Sequence, residues 1–185
     1  MKGEITMRKV IVSCFMSLDG VIENPMWTMP YWGDDIAAYQ GRDTENADLL
    51  LMGRKTYEGF AAAWPSRTDV ESGGAYFNAV KKVVASRTLT ETPWNNTSVL
   101  QGDVGDAIAA LKAQPGKNIL KYGGGGLLQL LMERGLLDEL HVLVYPVVVG
   151  VGARLFPDGA QGTLQLAQTQ TFASGVIALD YHAVR

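Results

Sequence analysis

With 185 residues, 47% of them hydrophobic and 19% charged, the chain is long enough to bury a sizeable core and fits one globular domain. A net charge of −3 and a pI near 5.4 exclude a protein whose main work is to grip nucleic acid, which takes a clustered basic excess that Arg8-Lys9 and Lys81-Lys82 do not supply. A single cysteine, Cys14, excludes an intramolecular disulfide and a cysteine metal cluster, and no apolar stretch approaches the roughly 20 residues that cross a bilayer, so a soluble, cytoplasmic protein with no membrane partner is expected.

In chain order, residues 1–7 read as an N-terminal extension and the apolar, β-branched run "KVIVSCFM" (9–16) as the first strand. An aromatic and proline-rich loop leads to a helix over 34–46. Then come a strand at 48–53, helices at 54–63 and 74–80, and strands at 81–86 and 98–101. A helix over 103–113 has Asp103 placed to cap it, Asp106 in its first turn, and Ile108 with Leu111 on one face. A strand at 118–123 precedes a helix at 125–135 whose Leu127, Leu128, Leu130 and Leu131 form its core side. The apolar run "ELHVLVYPVVVG" (139–150) follows. The last quarter alternates, with Leu164 and Leu166 on one face, a Ser174-Gly175 turn, and Ile177, Leu179 and Tyr181 on one face, which predicts a hairpin. Strand, helix and strand in repetition mean a parallel sheet. With the hairpin added, the predicted fold is a three-layer α/β domain, its sheet mixed and mostly parallel with a C-terminal antiparallel hairpin.

Open sheets of this kind bind ligands at the carboxyl ends of their parallel strands, and three segments with anion chemistry fall there. "LKYGGGGLLQLLMERG" sets Gly123, Gly124, Gly125 and Gly126 between a buried strand and a helix, where bare backbone and the positive end of the helix dipole suit a diphosphate. A plain tight turn or close helix-sheet packing is the competing explanation. "LLLMGRKTYEGF" closes a strand in Gly53 and opens a helix with Arg54 and Thr56, and "VVASRTL" closes another in Ser86 and Arg87. A guanidinium fork suits a phosphate, although each arginine taken singly reads equally as a solvated surface residue. The spacing is not G-x-G-x-x-G.

"MGRKT", "ASRT" and "YGGGG", in this order, resemble the three cofactor-binding segments of the dihydrofolate reductase fold. "VIVSCFMSLDGVI" and "DELHVLVYPVVVGVGARLFPDG" narrow the resemblance to the riboflavin-biosynthesis reductase branch, the RibD C-terminal domain and its stand-alone relatives, over about residues 8–184. The resemblance implies NADPH as cofactor, with Gly53, Arg54 and Thr56 at the adenosine-side phosphates, Ser86 and Arg87 at the 2′-phosphate, and Gly123 to Gly126 with Leu127 at the diphosphate. It also implies a cis Gly124-Gly125 bond. In "ENPMWTMPYWGDDIAAYQ", it aligns Asp35, or its neighbour Asp34, with the acid that orients substrate, while Trp27, Tyr31 and Trp32 would stack on a flat heterocycle. Capping and dipole roles for the two acids, and loop packing for the three aromatics, stand beside that reading. Asp19 reads as a turn residue, and His141 and His182 as surface or satisfied core histidines, so no metal is expected.

No zinc motif of a deaminase appears, so the bifunctional riboflavin enzyme is not expected. Taken together, the expectation is an NADPH-dependent reductase moving hydride to a C=N or C=O group of a small heterocyclic substrate, with a non-catalytic NADP(H)-binding module as the alternative. Because "LHVLVYPVVVG" is apolar at nearly every position, and the resemblance implies pairing through this region, a twofold homodimer is expected.

Overall fold

The structure, a computed structural model, describes residues 7–69 and 73–184. The N-terminal extension, but for Met7, lies outside the described residues. Strands β1 (Val10–Ser17), β2 (Ala47–Gly53), β3 (Lys81–Ala85), β4 (Thr97–Val99), β5 (Asn118–Tyr122) and β6 (Glu139–Tyr145) run parallel, and β7 (Leu164–Thr171) and β8 (Ile177–Ala183) close the sheet as an antiparallel hairpin. Among the described residues these form one eight-stranded sheet in the order β4-β3-β2-β5-β1-β6-β8-β7.

Both faces of the central strands are buried, which is why their sequences are apolar without alternation. Val10, Val12 and Cys14 of β1 pack with Ile108 of α4 (Val104–Lys112) and with Leu128 and Leu131 of α5 (Gly126–Glu133). Ile11 of the same strand faces the other way, into a cluster with Tyr57 of α2 (Arg54–Ala63) and Phe77 of α3 (Gly74–Ala79). Further along that face, Ile36 and Tyr39 of α1 (Asp34–Glu45) pack on Leu143 and Tyr145 of β6. Three layers result, α4 and α5 on one side of the sheet and α1, α2 and α3 on the other.

Local signals explain the element ends. The Asp103 carboxylate accepts a hydrogen bond from the Asp106 N–H at 2.9 Å and caps α4 as expected. Strand β6 stops at Tyr145, short of the apolar run's end, because Pro146 has no N–H to continue a ladder. Its Leu140, Val142 and Leu143 are buried inside the molecule, so the run's apolar surplus is used on the two faces of one strand, while Val148 and Val151 beyond it are exposed. The hairpin turns through Gly175 at φ 87°, with the Phe172 N–H donating to the Val176 carbonyl at 2.9 Å.

Candidate functional site

The strand order sets β3, β2, β5 and β1 side by side, so the carboxyl ends of β3, β2 and β5 carry Ser86 with Arg87, Gly53 with Arg54, and the glycine turn along one sheet edge. Arg54 Nη1 donates to Thr88 Oγ1 at 2.7 Å, which ties the first turn of α2 to the loop after β3. Ser86 Oγ accepts from the Thr88 and Leu89 N–H groups at 3.3 and 3.0 Å and shapes that loop from within. Arg87 is exposed, and Thr56 is half-buried. An acid also stands close by. Glu58, one turn along α2, pairs with Arg54 Nε at 2.6 Å and shares its charge.

The four glycines serve different ends. Gly123 and Gly125 have φ of 76° and 74°, backbone that residues with a Cβ rarely adopt. Gly124 has no such angle, but a Cβ there would run into the Leu155 carbonyl. Gly126, like Gly53, has ordinary backbone, and a Cβ on either would meet nothing within 4 Å among the described residues. No cis peptide bond occurs among the described residues, so the expected cis Gly124-Gly125 bond is corrected to trans: the two left-handed glycines on either side of Gly124 make the reversal on their own. Helices α2 and α5 both begin without a side-chain cap, and Leu127 is half-buried in the first turn of α5.

Beneath the turn lies a residue that the sequence reading passed over. Lys121 is 2% exposed, and its Nζ donates to the carbonyls of Tyr122, Gly123 and Gly124 at 3.3, 2.5 and 3.2 Å. Burial lowers its pKa to about 8. The only sequence signal for it was a charge inside the apolar run "NILKY".

The turn is held from outside as well. Asp19 accepts from Ser17 Oγ at 2.7 Å, from the Val149 N–H at 3.0 Å and from the Gly150 N–H at 2.8 Å, the Ser17 hydroxyl being the chief reason its pKa falls to about 2. Asp19 is therefore a turn residue, as read, and an anchor too. Arg154 Nη1 donates to the Asp19 carbonyl, the Leu155 N–H reaches the Gly20 carbonyl at 3.1 Å, and the Leu155 carbonyl accepts from the Gly125 N–H at 3.3 Å. The Ser-Leu-Asp-Gly turn thus fixes the loop after β6, and that loop fixes the glycine turn.

On the substrate side, a 3-10 helix (Pro25–Tyr31) carries Trp27 and Tyr31 onto Tyr145, with ring centroids 5.5 and 5.9 Å apart, while Trp32 meets Phe15 edge-on at 6.0 Å and stays 46% exposed. Tyr145 is fully buried at the middle of this group, and its hydroxyl has no hydrogen-bond partner among the described residues. Asp34 and Asp35 are exposed in the first turn of α1, whose N-cap is Gly33; Asp35 Oδ1 accepts from the Ile36 N–H at 2.8 Å. The polar group that α1 turns inward towards β1 is Gln40, whose Nε2 donates to Ser13 Oγ at 3.3 Å. An apolar cavity of about 350 Å³, lined by Met16, Met132, Leu155, Phe156, Leu179 and Tyr181, lies on the α5 face of the sheet, the opposite face from Tyr145.

His141 sits at the amino end of the sheet. Its Nδ1 faces Asp43 Oδ2 at 3.0 Å and its Nε2 faces Glu139 Oε2 at 3.2 Å. Burial works against its charge, but the hydrogen bonds to Asp43 and Glu139 and the charges of Asp43 and Asp180 outweigh it and raise its pKa to about 9. It is a satisfied core histidine.

Among the described residues, no helix is long and apolar enough to cross a membrane. The uncharacterized protein YyaP of Bacillus subtilis (strain 168) is 31% identical, over 98% of this chain and 98% of its own length, and YwjB of the same organism is 28% identical over 96% and 98%. In fold, the chain is similar to a putative riboflavin biosynthesis protein from Shewanella sp. PV-4, with a TM-score of 0.71 at 24% identity over 96% of this chain and 99% of that one. It is also similar to a pyrimidine reductase-like protein from Corynebacterium diphtheriae, with a TM-score of 0.69 at 15% identity over 98% and 94%. The model of the RibD C-terminal domain matches residues 8–178, nearly the whole chain with the sheet edge and its three donor segments inside it, and the protein belongs to that family.

Proposed function

We propose that the chain is an NADPH-dependent reductase that transfers hydride to a C=N or C=O group of a small pyrimidine- or pterin-like substrate, in the cytoplasm and as a twofold homodimer. Family membership supports the reductase role. The observation that carries the cofactor reading is the alignment of three donor segments on one sheet edge, two of them joined by the hydrogen bond from Arg54 to Thr88.

The residues present fit a dinucleotide. Open space over Gly53 and Gly126 at two uncapped helix starts leaves main chain within a phosphate's reach, and Arg54 and Arg87 supply exposed guanidinium groups beside it. Gly53, Arg54 and Thr56 would hold the adenosine-side phosphates, Ser86 and Arg87 the 2′-phosphate, and Gly123 to Gly126 with Leu127 the diphosphate. Bound there, NADPH supplies the hydride. The chain orients the reactants and keeps water out, with Trp27, Tyr31 and Trp32 towards the heterocycle and Asp35, with Asp34 beside it, as proton source.

The test is NADPH oxidation, followed by absorbance, against pterins, ribityl- and ribosylamino-pyrimidines and simple carbonyls. Oxidation with at least one class is the expected result. Tight binding without oxidation by any of them would favour a non-catalytic NADP(H)-binding module, and no binding at all would sink both.

A further inference from the structure

Lysine is an expensive residue to place where Lys121 stands. Its strand neighbours in register are Val12 and Leu51, both in the apolar core beneath α4 and α5, and a buried ammonium is tolerated only when its charge is met. What meets it is three peptide carbonyls, of Tyr122, Gly123 and Gly124; among the described residues no carboxylate pairs with it. Dipoles satisfy its donors but leave a full positive charge unneutralised, a condition that an anion nearby relieves.

The turn's geometry gives the other half. Three carbonyls converging on one buried point would, without a cation, make the underside of the glycine turn strongly negative. With the ammonium in place, the sign is reversed. The N–H groups of Gly123 and Gly125 are engaged by the Ser13 and Leu155 carbonyls at 2.9 and 3.3 Å. The Gly124 N–H has no acceptor among the described residues, and Gly126 opens α5, whose first N–H groups have no carbonyl earlier in the helix to bond.

We propose that Lys121 is a positioning residue for the dinucleotide: its ammonium holds three carbonyls of the glycine turn inward and sets a fixed positive charge beneath the main chain that receives the diphosphate. The inference rests on the cofactor reading above. It assigns a specific consequence to pH. The titratable group facing Lys121 is Cys14 on β1, whose thiol burial pushes up to about 12, so it stays neutral while the lysine titrates near 8. An anion favours the ammonium, so affinity is full below that value and falls as pH rises through it. Lys82, also lowered by burial to about 8, binds the Val80 and Asn95 carbonyls at the amino end of β3, away from the site.

The experiment is to measure the NADPH dissociation constant from pH 6.5 to 9.5 for the wild type and Lys121→Met. The expected result is a wild-type affinity that declines at least about tenfold above pH 8, and a variant that is at least about tenfold weaker at pH 7 and flat above it, as befits one unit charge near a diphosphate in a partly screened site. A residue that merely braced the turn would move stability without that slope. The wild-type profile stands alone should the variant fail to fold. A wild type that binds NADPH equally at pH 7 and 9.5, or a folded variant that binds as tightly as wild type at pH 7, overturns the inference and leaves the cofactor reading standing. No NADPH binding by the wild type at any pH overturns both together.

Discussion

The carbonyl oxygen of Leu155 lies too close to where a Cβ on Gly124 would stand for any side chain to fit there. Two segments far apart in the chain therefore fix each other, and packing by itself is enough to require glycine at position 124. Gly126, two residues on, has open space. Gly124→Ala is expected to lose about 3 kcal/mol, the upper range for overpacking against backbone. Gly126→Ala should stay within about 0.5 kcal/mol of wild type while losing NADPH affinity by about tenfold. Chemical denaturation and dinucleotide titration of both variants check the pair.

Arg54 reaches the candidate phosphate site already engaged with Glu58. Arg54, at the adenosine-side phosphates, is tied through Thr88 to the loop whose Arg87 would hold the 2′-phosphate, so Arg87→Ala and Arg54→Ala are each expected to lower the preference for NADPH over NADH by about tenfold, in line with one lost charge-assisted hydrogen bond. Removing the competitor works the other way, so Glu58→Gln should tighten NADPH a few-fold. Equal effects on both dinucleotides would place the 2′-phosphate elsewhere.

The buried His141 network makes stability depend on pH on both sides. His141 has a folded pKa of about 9 against an ordinary 6.5, so its contribution is fully present below about pH 6.5 and is lost as pH rises through 9. Glu139, lowered to about 2 chiefly by its hydrogen bond to His141, contributes above about pH 4.5 and loses that as pH falls towards 2. Asp43→Asn leaves the imidazolium without its closest carboxylate and should cost about 3 kcal/mol at pH 7, with the alkaline decline much reduced. Urea unfolding across pH 5 to 10 reads both effects.

Asp19 joins the first turn of the chain to Val149 and Gly150. Asp19→Asn keeps the shape but removes the charge that strengthens these bonds, so the Val149 and Gly150 amides should exchange with deuterium faster, followed by Gly125 through Leu155. Unchanged protection at Gly125 would separate the loop from the turn.

The proposed twofold homodimer is supported by the resemblance and by two exposed apolar residues, Val148 in the apolar run and Val151 just past it. Sedimentation at micromolar concentration should give twice the chain mass, and Val148→Asp with Val151→Asp should give the monomer.

Periodicity and residue type were enough for the layers, the strand and helix order and the hairpin, because each rests on signals within a few residues: unbroken β-branched runs for strands buried on both faces, Asp103 three residues before Asp106, Ser174-Gly175 between alternating runs. The donor segments "MGRKT", "ASRT" and "YGGGG" were legible for the same reason, each lying where a strand ends and a helix or loop begins. What the chain could not disclose locally was decided by contacts between distant segments. Leu155 makes Gly124 necessary, two left-handed glycines remove the need for a cis bond, Glu58 shares Arg54, and Lys121 turns into the core beneath the turn that follows it. Each depends on a partner whose place is set by the sheet order β2-β5-β1-β6 or by the fold of a helix or turn, and a linear pattern carries neither distance nor direction between such partners.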